Sequence, residues 1–318
     1  MTYSAKIICD SINQGVRLTT MELVFPRIVL AEFNTHRAFS RNSASSRAIP
    51  IKTQIERVLA NPYIPNFKRN QKGMQPAEEL SPREQKWACA EWLDARDAAM
   101  EHCRKLDNLD VHKQWCNRLL EPFMWHTVIV TATEWENFFG LRCNPQAQDE
   151  IRIPAEMAEE AYRKNVPTER QMHTPFFDEM DRDALADAIR DGIIEERPGM
   201  AAAISTARCA RVSYLTHDGR RDFIEDIALH DRLLQSRHMS PFEHVAVACN
   251  TTQEALPLGN FDYPWLQYRK TIPGERVAVR GAVPCTATEW EPGVGEPGSE
   301  PGFENCRLKP KENDGTEW

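Results

Sequence analysis

The sequence predicts an α+β fold, a small mixed or antiparallel sheet with long helices packed around it. Three observations predict it. The run TVIVTAT at 127–133 has the β-branched density of a strand. The stretch 18–33 alternates and then runs apolar. After Ser81, Trp87, Trp92, Ala95, Ala99 and Cys103 recur at near-helical spacing.

Taken in order, Pro26 divides 18–33 into a strand and a short helix that leads into a serine-rich loop. Residues 60–80 hold Pro62, Pro65 and Pro76 among Asn, Gln and Lys, and read as a surface connection. Ser81 then offers an N-cap, Pro82 the first helical position and Glu84 the reciprocal capping carboxylate for a helix to about Leu106. A helix over 111–120 stops at Glu121-Pro122. Two more, over 134–141 and 146–164, flank the turn Arg142-Cys143-Asn144-Pro145. Residues 166–200 read as an insertion with a short helix near 182–191; helices from about Met200 and over 222–234 then precede a strand at 245–250. Gly, Pro, Glu and Ser dominate from Glu291 onward, so 287–318 reads as a flexible tail behind a catalytic domain of residues 1–286.

The 318 residues are 41% hydrophobic, enough for a sizeable core. Thirty-nine basic against 47 acidic residues leave a charge of −8, which disfavours a nucleic-acid backbone as partner while allowing a small anion in a local basic pocket. No apolar run reaches eighteen residues and MTYSAKIICD lacks a secretory pattern, so no membrane association and a cytoplasmic location are expected. Nine cysteines with no CxxC suit reduced thiols, with Cys143 and Cys209 as packing residues and no metal site.

The chemistry concentrates in residues 34–48, NTHRAFSRNSASSRA. One imidazole (His36), three guanidiniums (Arg37, Arg41, Arg47) and four serine hydroxyls read as an anion-binding loop. Five segments then line up: THRAFSRNSASSR (35–47), NRLLEP (117–122), NFFGLR (137–142), ARVSY (210–214) and HMSPFEH (238–244). Together they resemble the flavin-dependent thymidylate synthases (thymidylate synthase complementing proteins), whose signature is Arg-His-Arg, seven residues, Ser, and Arg two places later. His36, Arg37, Ser45 and Arg47 fall at that spacing. Thr35 stands where the first arginine is usual and Ser43 where a glutamate is common. The family runs ARVSY, HMSPFEH and then the arginine loop, so this order is circularly permuted.

The resemblance implies methylation of dUMP at C5 to dTMP, with methylenetetrahydrofolate as cosubstrate, FAD as cofactor, NADPH as reductant and no protein nucleophile. By position it assigns His36, Arg37, Asn137, His238, Ser240 and Glu243 to the flavin. Ser45, Arg47 and Arg118 fall to the nucleotide, and Arg142 to the pyrimidine, where a fixed cation stabilises developing negative charge. Arg142 and Ser45 are the candidate catalytic residues. Gln267 and Arg269 read either as a remnant of the helix that precedes the family's loop or as a second nucleotide contact, while Glu32 holds the corresponding place before the first loop. The family also implies a homotetramer.

Three other readings stand beside this one. A sibling flavoenzyme would modify another pyrimidine nucleotide or transfer a hydroxymethyl group. A phosphohydrolase metal site of His36, His238, Glu243 and His244 is opposed by the H-x4-E-H spacing and by Pro241. A non-catalytic nucleotide-binding protein is favoured by the arginines and opposed by the acidic balance.

Overall fold

In the computed structural model, which describes residues 2–73, 75–217, 221–249 and 258–275, a five-stranded mixed sheet carries the chain's middle. Its order is β3-β4-β2-β1-β5, built from β1 (Ser4–Asn13), β2 (Val16–Pro26), β3 (Ser40–Ser43), β4 (Trp125–Ala132) and β5 (Thr168–Glu169). All neighbours run antiparallel except β1 and β5, which are parallel. A second, antiparallel sheet joins β6 (Met172–His173), β7 (Ala246–Ala248) and β8 (Trp265–Gln267). The α+β expectation holds.

Strand β4 is buried on both faces, which is why its sequence is a continuous apolar and threonine run rather than an alternation. Val128, Val130 and Ala132 pack with Phe25, Phe33, Trp135, Phe138 and Ile151 in the largest core cluster. That face is covered by α1 (Leu30–Phe33), α5 (Glu136–Arg142) and α6 (Asp149–Lys164). Ile129 points the other way, to Cys209 and Val212, so α8 (Met200–Arg211) lies on the opposite face. A satellite core unites α2 (Ile51–Ala60), α3 (Pro82–Asn108), α4 (Lys113–Cys116) and the 3₁₀ segment Asn117–Phe123.

The capping box expected at Ser81 forms: its hydroxyl accepts from the Glu84 N–H while the Glu84 carboxylate accepts from the Ser81 N–H. Farther along, α7 (Glu179–Arg190) starts at an Asp178 capping box. Helix α8 is bolted to α7 and α9 (Phe223–Gln235) by buried charge: Arg208 meets Asp181 at 2.8 Å and Asp226 at 2.9 Å, and Arg211 meets Asp226 at 2.7 Å. The last described element is α10 (Tyr268–Thr271).

The helix expected over 111–120 is instead one α-turn followed by a 3₁₀ stretch carrying Pro122, whose ring cannot continue an α-helix. Strands β1, β3, β5, β6 and β8 and helix α2 are additional to those the sequence predicts. The tail at 287–318 lies outside the described residues.

Candidate active site

The loop at 34–48 is organised by two side chains with different work. Its middle is not a loop but strand β3, paired with β4 through Ser40–Thr131 and Asn42–Ile129. Arg41, read from sequence as a phosphate donor, spends one guanidinium nitrogen on backbone: Nη1 donates to the carbonyls of Asn34 (3.0 Å) and His36 (3.1 Å). It ties the turn shut. Asn42 is the hub. Its amide donates to the Cys209 carbonyl at 2.7 Å, and its oxygen accepts from the hydroxyls of Ser213 and Ser240 at 3.5 Å each. The Ser45 N–H adds a bond to the Ser213 carbonyl at 3.0 Å. The early loop, ARVSY and HMSPFEH therefore meet within one protomer.

Arg142 joins the same loop from the end of α5. Its Nε donates to His36 Nε2 at 2.9 Å, and Nη2 lies 3.4 Å from both the Glu32 carbonyl and the Thr35 hydroxyl. A guanidinium only donates, so His36 Nε2 is the acceptor and the imidazole proton sits on Nδ1. His36 is 8% exposed, edge-on to Phe138 at 4.9 Å. Burial, then Arg142 and Arg41, pull its pKa down to about 4, so the ring is neutral. Thr35 puts a hydroxyl, not a cation, beside Arg142.

Four expected ligand contacts have free side chains. Arg37, Arg47, Asn137 and His238 are exposed, and none makes a side-chain hydrogen bond or ion pair with any described residue. Ser240 is exposed but shared with Asn42; Glu243 is half-buried and paired with Arg269. Arg118 is exposed and lies 3.5 Å from Glu121.

Two assignments need correction. Gln267 is 2% exposed and its amide donates to the Ser40 hydroxyl (2.7 Å) and the Glu243 carbonyl (3.1 Å), so it packs strand against loop rather than facing a nucleotide. Gly259, at φ +95°, provides the close approach that Gln267 requires. Arg269 is taken up by Glu243 and Glu275.

Two cavities flank this region. One, of about 580 Å³, is lined by Arg27, Ile28, Leu30, Ala31, Asn34, Arg118, Glu121 and Pro122. The other, of about 220 Å³, has Ser45, Ser46, Gln54, Arg57 and His126 on its wall together with Arg27. Arg118 and Ser45 thus sit on different cavities that share one arginine. Sequence reasoning missed Asn42 and Arg27; Asn42 stood inside a quoted motif, whereas Arg27 gave no signal outside its apolar run.

Burial also disposes of the thiols. Cys143 is pushed up to about 12 and Cys209 is raised further, both chiefly by desolvation, so neither is a thiolate nucleophile. His244 is fully buried, its Nδ1 bonded to the Thr131 hydroxyl at 2.8 Å. No cluster of three or more His, Cys, Asp or Glu suited to a metal occurs among the described residues. Nor, among them, is any helix long and apolar enough to cross a membrane.

The family model described as "Thymidylate synthase complementing protein" matches residues 17–168. That segment, just under half of the chain, is similar to this family. It carries the arginine–serine loop, Arg118 and Arg142, while the Asn42 partners lie outside it. No curated protein sequence matches the chain. Among solved structures, the UMP/dUMP methylase PolB from Streptomyces cacaoi bound with 5-Br UMP is similar at 15% identity, over 51% of this chain and 89% of that one, with a TM-score of 0.44. The same enzyme bound with 5-Br dUMP gives 19% identity, 46% and 66% coverage and a TM-score of 0.37.

Proposed function

We propose that the protein is a flavin-dependent thymidylate synthase: it methylates dUMP at C5 to dTMP, with methylenetetrahydrofolate as one-carbon donor and reduced FAD, regenerated by NADPH, as hydride donor. The observation that carries this reading is the Asn42 junction. Three motif segments far apart in the chain are gathered there, and the Arg142–His36 bond brings in a fourth. The catalytic unit is residues 1–286, and the assembly is a cytoplasmic homotetramer, as the family leads one to expect.

The residues present fit the cofactor. Arg37, Asn137 and His238 offer side chains with no described partner, suited to the phosphates and polar ring edge of a flavin. Glu243 stands in the same motif as His238 and Ser240. When bound, the flavin supplies the hydride.

The chain's own work is orientation and electrostatics. Arg142 is a fixed cation: His36 and Thr35 hold two of its nitrogens, so its charge is preorganised for a pyrimidine that becomes electron-rich at C5. A neutral His36 serves this by accepting from Arg142 without repelling it. Ser45, Arg47 and Arg118 contact the nucleotide. The protonated cysteines leave the covalent chemistry to the cofactors.

The test is product identification by mass spectrometry after the purified protein is incubated with dUMP, methylenetetrahydrofolate, FAD and NADPH. Expected is dTMP. A hydroxymethylated product moves the protein to the sibling reaction, and an unchanged base ends the reading.

A further inference from the structure

Between the two cavities, one carboxylate oxygen is held as a bound oxyanion would be. Glu121 Oε1 accepts from the Ser46 hydroxyl at 3.1 Å, lies 2.9 Å from Arg27 Nη2 and 3.5 Å from Arg118 Nη1. All three donors converge on that single atom. Arg27 is otherwise half-used: Nη1 donates to His126 Nδ1 at 3.0 Å, and Nε is buried with no partner. Nε and Nη2 form the guanidinium edge that grips a carboxylate or phosphate through two oxygens. Arg17 shows that grip within this chain, its Nε and Nη2 taking the two oxygens of Asp10. Glu121 satisfies only half of the Arg27 edge.

We propose that Arg27, Arg118 and the Ser46 hydroxyl form the cradle for the nucleotide's phosphate, and that Glu121 is its internal stand-in, displaced when the phosphate binds. The proposal rests on the nucleotide substrate of the preceding reading. A phosphate dianion presents the two oxygens that Nε and Nη2 of Arg27 require, and a third for Ser46 and Arg118, so it uses a donor that Glu121 leaves unmet. The cavity of about 580 Å³ on this side has the size of a small-molecule site, with apolar Ile28, Leu30, Ala31 and Pro122 beside the charged end. Glu121, a quarter exposed, has a solvent path by which to leave. The carboxylate keeps two cations from lying bare, and it repels any anion that does not fully replace it.

Isothermal titration of the flavin-free full chain with dUMP, with inorganic phosphate and with deoxyuridine, at constant ionic strength, tests this. Glu121→Gln removes the competing charge and should tighten dUMP and phosphate binding about three- to tenfold. Arg27→Gln should weaken both about tenfold or more, with Arg27→Lys as a second variant that keeps the charge and lacks the two-pronged edge. Deoxyuridine should respond to none of them. Unchanged or weaker dUMP binding in Glu121→Gln overturns the proposal, as does unchanged binding in both Arg27 variants or no binding of dUMP and phosphate by any form. An ordinary structural ion pair gives the opposite sign for Glu121→Gln. Because the readout needs no flavin or turnover, a protein that binds dUMP this way and makes no dTMP sinks the methylation reading and leaves the cradle standing.

Discussion

At the residue scale, the decisive contact is between two side chains that differ in what they can exchange. Arg142 only donates and His36, held neutral, accepts, so the pair has one stable polarity at physiological pH. Arg142→Ala should leave the fold intact, since the arginine caps no core, and should abolish turnover; Arg142→Lys restores the charge without the fork that grips His36 and Thr35, and recovers little. Turnover near the parent rate in the alanine variant refutes the placement of this cation. That the segments holding His36, Arg142, Ser213 and Ser240 belong together was legible from type and spacing, because arginines and histidines beside serines are chemically distinctive. Asn42 was not: a buried amide that collects three partners looks, in sequence, like any polar turn residue. Gln267 misled for the complementary reason, since nothing in sequence separates an amide that packs from one that binds.

At the element scale, the sequence displayed what local rules control and hid what pairing controls. The α3 capping box was readable because Ser81, Pro82 and Glu84 stand in fixed order; Ser81→Ala should cost about 1 kcal/mol, measured as a lower urea midpoint with an unchanged slope. An unaltered midpoint means that the cap contributes nothing. Strand β3, SRNS, has no strand propensity at all and exists because β4 offers it an edge. Helix α2 shows the reverse failure. Ile51, Gln54, Ile55 and Val58 do bury one face at i, i+3, i+4 and i+7, but the stretch lies against a proline-rich connection whose composition suggests a loop.

At the scale of the whole molecule, the sheet interior is threaded by imidazoles that cannot ionise in place. Burial drives His126, His173 and His244 from an ordinary 6.5 to about 3. Such depressed values mean that the unfolded chain binds protons the folded chain refuses, so their contribution is complete above about pH 6.5 and is lost as acid approaches the native values. A tenfold difference in proton affinity between the two states is worth roughly 1.4 kcal/mol, so even one such ring outweighs a typical surface ion pair. Denaturant midpoints should therefore be flat above neutrality and fall steadily between pH 6.5 and 4, before the carboxylates titrate. A level profile across that window contradicts the burial of these rings. One row joins His173 to His244: His173 Nε2 meets Thr20, Thr20 meets Thr131 and Thr131 meets His244, at 2.6 to 2.8 Å, while His173 Nδ1 meets Ser11 at 2.9 Å.

The permuted motif order has a consequence for synthesis. Asn42 emerges from the ribosome with its strand, yet Cys209, Ser213 and Ser240 follow 167, 171 and 198 positions later. The nascent chain carries that amide without these partners until most of the described residues have been made. A polypeptide interrupted before position 240 therefore has every strand of the five-stranded sheet and an incomplete Asn42 junction.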